Sequence, residues 1–121
     1  MNSYDPDRAP PPGEWLGLDE GVRIALVEDF HRRARIRVPR EAVHATVHVT
    51  VENQLAMELP VVVDTLARLC SEGLGRHEAI HAIGLVLMEH IQHQLAAPSW
   101  APNPAYEASL RALTAAQCRD A

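Results

Sequence analysis

At 121 residues the chain has the size of one domain and can bury one ordinary hydrophobic core. Its composition, 47% apolar and 22% charged, is that of a globular protein, and a formal net charge of −5 excludes a general nucleic-acid binder, which needs a basic face. The longest strongly apolar run, Ala79 to Met88, is too short to span a bilayer, and no basic region followed by an apolar run opens the chain, so a cytoplasmic protein without a membrane partner is expected. The two cysteines, Cys70 and Cys118, lie far apart without zinc-knuckle spacing. They read as free thiols, which leaves histidine and carboxylate as the residues able to hold a metal.

Residues 1–17 read as a disordered tail, because Pro6, Pro10, Pro11 and Pro12 favour extended backbone and no period is visible. Trp15 and Leu16 are candidates for pinning the end of the tail to the body. Residues 18–118 read as a single helical domain. Asp19 suits an N-cap, and Val22, Ala25, Leu26 and Phe30 follow at helical spacing, which predicts a first helix over Asp19 to Ala34. The basic stretch Arg32 to Arg40 reads as a solvated helix end and loop, broken at Pro39.

Glu41 to Leu59 carries conflicting signals. Thr46 to Val51 alternates like a strand, whereas Val47, Val51, Leu55 and Leu59 recur every four residues. The run continues without a turn residue into Gln54–Leu59, which favours helix. Pro60 suits the first turn of the next helix, expected to reach Glu72 and to be capped by Gly73. A further helix is predicted from Arg76 to Ala96, before Pro98. It is apolar around most of its circumference between Ala79 and Met88, as in a helix surrounded by partners or placed at a subunit interface. Asn103 and Pro104 open a last helix with Tyr106, Leu110 and Leu113. The sum is an all-α fold: a small bundle of four to five helices.

Two of these helices carry a shared chemical pattern. His44, His48 and Glu52 are spaced four apart and fall on the stripe of Val47, Val51 and Leu55, so they face inward whether the segment is helix or strand. His77 and His81, within His77-Glu78-x-x-His81, are also four apart, on the stripe of Leu85 and Met88. One buried histidine is usually a satisfied core residue. Four on facing apolar stripes each need partners for their ring nitrogens, and one shared ion satisfies several together. The candidate metal ligands are therefore His44, His48, Glu52, His77 and His81, with Glu89 and Glu78 about a third of a turn off the stripe. His31, His90 and His93 read as surface residues or as outer neighbours of the site.

The stretch His44-x3-His48-x3-Glu52-x-Gln54, followed by His77-Glu78-x-x-His81 and a later Glu89, resembles the bacterial family of unknown function numbered 1841. The likeness runs from about Ala42 to Ile91. Ile80 and Ala82 stand where that family has a further histidine and a glutamate. The resemblance implies helices and a shared His/Glu site, and it supplies no activity.

Three functions fit the pattern. The first is a zinc-type hydrolase acting on a small, unnamed substrate, with Glu78 as the catalytic base beside His77 and His81. Its difficulty is the lack of a strand to align a peptide. The second is a non-haem iron or manganese bundle protein, suggested by Glu28-x-x-His31, Glu41-x-x-His44 and Glu78-x-x-His81, although such sites carry more carboxylate. The third is a non-catalytic metal-stabilised dimerisation module. Zinc is the first expected ion, iron or manganese the second, and a homodimer the expected assembly.

Overall fold

The computed structural model describes residues 1–93 and 104–119. Among them are seven helices and no strand: α1 (Pro12–Leu16), α2 (Glu20–Arg33), α3 (Glu41–Ala56), α4 (Pro60–Ser71), α5 (Arg76–His93), α6 (Pro104–Ala112) and α7 (Ala115–Arg119). No helix among the described residues is long and apolar enough to cross a membrane. The conflicting segment is helical throughout, as α3. Its β-branched residues override no backbone preference strongly enough to stop a helix that buries them on two sides.

α3 is the central element. It packs on α1, α2, α4 and α5, while α5 also meets α4 and α6. Val51, with Val47 and Leu55 beside it, joins Val62, Leu69, Ile80, Ile83 and Leu110 in one apolar cluster. Ala45 and Val49, on another side of α3, join Tyr4, Trp15 and Val27 in a second. The single expected core is thus divided, and the stripe of His44, His48 and Glu52 runs along the seam. α5 was expected to be surrounded by partners or placed at a subunit interface; within the chain Ala79, Ile80 and Ile83 are buried, whereas Leu85 is 69% exposed.

The ends of the helices follow local chemistry. Asp19 occupies the N-cap of α2 in extended conformation but makes no side-chain cap bond. Pro60 opens α4, and Gly73 follows its C-terminus at φ 111, where a side chain would be strained. The Glu78 carboxylate accepts from Gly75 N–H at 3.1 Å, half of a capping box at the start of α5. The predicted last turn of this helix, 94–96, lies outside the described residues.

The expectation of a disordered tail over residues 1–17 is corrected. Tyr4 and Trp15 are 2% and 0% exposed, and the Trp15 indole N–H donates to Asn53 Oδ1 at 2.9 Å. Arg76 donates to Pro6 O at 2.8 Å, and His77 N–H reaches Asp7 Oδ1 at 3.4 Å. Burying two large aromatic rings offsets the ordering cost of the prolyl segment, whose backbone has little conformational freedom to lose.

Candidate metal centre

Five histidines meet where α2, α3 and α5 converge. His44 and His48 come from α3, His77 and His81 from α5, and His31 from the last turn of α2. Close approach of α3 to α5 makes this possible. Gly84 lies one turn beyond His81, and a Cβ there would stand 3.0 Å from Val47 Cγ1, so any larger residue requires the valine side chain to give by a few tenths of an ångström. The His44 and His81 Nε2 atoms are 3.1 Å apart. This is a hydrogen-bond distance, and it also lies near the separation of about 3.3 Å that two imidazole nitrogens keep on one tetrahedral ion at about 2.0–2.1 Å.

His31, His44, His48 and His81 each offer a nitrogen within 4.8 Å of the others and can hold a metal ion; no carboxylate or thiolate belongs to this set among the described residues. His77 adjoins it, its ring centroid 4.1 Å from that of His81, 5.3 Å from His31 and 5.4 Å from His48. Three buried ring nitrogens, His31 Nε2, His48 Nδ1 and His77 Nε2, have no hydrogen-bond partner. Leaving so many polar atoms unsatisfied in one place is costly, and an ion would relieve it.

The outer hydrogen bonds decide which nitrogen faces inward. His31 Nδ1 is 2.8 Å from Val27 O, so Nδ1 carries the proton and Nε2 keeps the lone pair. The Tyr4 hydroxyl donates its one proton to Glu52 and lies 2.8 Å from His48 Nε2. Nε2 must then be the donor to the phenol oxygen, and the His48 lone pair is on Nδ1. Glu52 is held in turn by both terminal nitrogens of Arg76 at 2.8 Å. Burial, with added repulsion between neighbouring rings, lowers the pKa of His44 and His77, and drives His48 to about 2 and His81 to about 3. The rings are therefore neutral at physiological pH, which is the state that binds metal.

Several expected site residues stand elsewhere. Glu52 is 1% exposed but is taken by Arg76 and Tyr4, so it orients His48 from behind. Glu78 is exposed and spends a carboxylate oxygen on capping α5, and it lines a surface groove together with His81. Glu89 is also exposed and borders the same surface groove as Glu78 and His81, with Leu113 and Cys118, but is not in the close ligand set. Glu41 pairs with Arg32. His31 was read as peripheral; it is 2% exposed and inside the cluster. The clue lay in Val27 and His31, four apart, which form the buried stripe of α2, while Val22 and Ala25 face outward. His90 bonds to Ser109 Oγ at 3.0 Å, away from the site, and the His93 side chain lies outside the described residues. Tyr4 and Arg76 were missed as supports, because their partners are far away in sequence.

A cavity of about 200 Å³ opens against the His44–His81 edge, walled by Val47, Ile80 and Met88. No protein-family model matches the chain, and neither a curated protein nor a solved structure gives a match.

Proposed function

We propose that this protein is a small metalloprotein in which the histidine cluster holds a divalent transition ion, zinc first and iron second. One observation carries the reading: His31, His44, His48 and His81 each offer a nitrogen within 4.8 Å of the others, and buried ring nitrogens of His31 and His48 have no hydrogen-bond partner. An imidazole set suits zinc, iron, copper or nickel, whereas manganese favours the carboxylates that are missing from it. The first activity is metal-dependent hydrolysis of a small substrate. A bound ion would acidify its own water, and the Glu78 carboxylate, engaged at the helix cap on a groove it shares with His81, would have to leave that cap to act as base. The cavity beside His44 and His81 supports this over a closed structural site, because it gives an exogenous molecule room next to the ion. Oxygen or redox chemistry at iron is the second reading, favoured by the same imidazoles. A metal-stabilised homodimer is the third, favoured by Val43 and Leu85, exposed apolar side chains on α3 and α5.

Elemental analysis of tag-free protein tests the proposal. About one equivalent of metal per chain is expected in the parent and in Glu78→Gln, with loss in His81→Ala and equally in His31→Ala. Retention of metal by His31→Ala would remove the cluster as drawn, and a metal-free parent that cannot be reconstituted would remove the whole reading. The mass of the same sample in solution decides the dimer.

A further inference from the structure

The connection between α2 and α3 is strongly cationic on an acidic protein. Residues 32–40 contain five arginines and no acid. Arg33 pairs with Asp29 at 2.8 Å and Arg32 with Glu41 at 3.3 Å. Arg35, Arg37 and Arg40 form no ion pair among the described residues. Arg35 and Arg37 border a cleft of about 510 Å³ that the paired Arg32 and Glu41 also line, and whose most buried wall is His31, a member of the histidine cluster.

The backbone adds an independent observation. α2 ends in a Schellman turn: Ile36 N–H donates to His31 O at 2.9 Å and Arg35 N–H to Arg32 O at 3.0 Å. Arg35 fills the left-handed position of this turn at φ 58, and Arg40 repeats the conformation at φ 53. Glycine takes that position without strain, whereas an arginine there is disfavoured. Strained residues of this kind concentrate where a side chain has a task other than stability. The turn places Arg35 on the cleft that reaches His31, whose Nε2 is buried without a hydrogen-bond partner.

We propose that this cleft binds the oxyanion group, phosphate or carboxylate, of a small anionic substrate through Arg35 and Arg37 and presents it to the histidine cluster at His31. Presentation to an ion rests on the metal reading above; the anion site stands without it. Guanidinium groups match two oxygens of either anion in one plane. A local positive field on a molecule of net charge −5 draws small anions to this mouth, while the remaining surface repels an extended polyanion.

The test is calorimetric titration of the full-length protein, metal-free and zinc-loaded, with inorganic phosphate and separately with acetate at low ionic strength. At least one anion binds both forms, and the tighter of the two names the group. Arg37→Ala and Arg35→Gly each weaken it by about tenfold or more, the loss of a charged hydrogen bond. Metal content stays unchanged, and Arg35→Gly melts no lower than the parent because glycine relieves the turn. Affinities within about twofold of the parent in both variants overturn the proposal. So does failure of either anion to bind at millimolar concentration, or tighter binding of a short single-stranded DNA. Zinc uptake is measured on the same samples, so a protein that binds the anion but no metal loses the metal reading alone.

Discussion

Tyr4 shows how much one hydroxyl decides. It stands between Glu52 and His48, with its ring centroid 5.5 Å from the imidazole and 5.4 Å from Trp15. Burial first, then the charge of Glu52, raises its pKa well above the usual phenol range, so it remains a donor throughout the physiological range. Tyr4→Phe keeps the ring packing and removes only the oxygen. The His48 Nε2–H then has no acceptor, and nothing holds the tautomer that turns Nδ1 inward. The expected cost is about 1–3 kcal/mol of stability and a 10–100-fold loss of metal affinity, a range typical of a residue that orients a ligand from behind. A thermal melt and a competitive chelator titration measure the two separately. Undiminished metal affinity in Tyr4→Phe would mean that His48 is not a ligand through Nδ1.

At the scale of elements, the site is a property of how α3 crosses α5. Gly84 packs tightly against Val47, and the His44–His81 contact lies one turn away along both helices. Alanine at 84 would gain helix propensity while crowding a valine that borders a cavity, so the two effects oppose. Valine leaves no such balance. Gly84→Val must push the helices apart, with an overpacking cost of about 1–3 kcal/mol, and must widen the His44–His81 separation. Chemical denaturation should show the destabilisation, and metal affinity should fall even though no ligand has been touched. Full metal affinity in a folded Gly84→Val protein would show that the ion does not depend on this crossing.

At the scale of the molecule, the burial of His44, His48, His77 and His81 links folding to pH. A histidine in an unfolded chain titrates near 6.5. In the fold, desolvation first and neighbouring rings second hold His48 and His81 down to about 2 and 3, and His44 and His77 below their ordinary value. Above about pH 6.5 both states are neutral at these positions and the full stability is present. Below it the unfolded chain takes up protons that the folded chain refuses, so stability falls, and it goes on falling as pH drops toward about 3 and 2. Metal-free protein should therefore show a melting temperature that declines steadily from about pH 6.5 to pH 4, and His48→Gln should flatten the decline. A melting temperature unchanged over that range would contradict the burial of neutral imidazoles.

By itself the sequence determined the five longer helices, α2 to α6, because they are local, and missed the five-residue α1 and α7, too short to show a period. Fourfold spacing made α3 legible through a β-like stretch, Pro60 and Gly73 marked the ends of α4, and the His44–His48 and His77–His81 pairs declared a common inward face. Periodicity reports which residues share a face, but not how a face is rotated about its neighbours. For that reason the spacing of Val22, Ala25, Leu26 and Phe30 gave the helix but not its buried side, and His31 was read as peripheral, when the fold turns Val27 and His31 to the core. The choice between ligand and support was likewise tertiary. Glu52 and His48 share one stripe, yet Arg76 and Tyr4, 24 and 48 residues from Glu52, claim its carboxylate and leave the imidazoles to one another. Composition made the N-terminal segment look free, and only the packing of Tyr4 and Trp15 against α3 ordered it. Hydrogen bonds and aromatic contacts between distant residues leave no period in a sequence, and these are the interactions that decide which nitrogens face the centre.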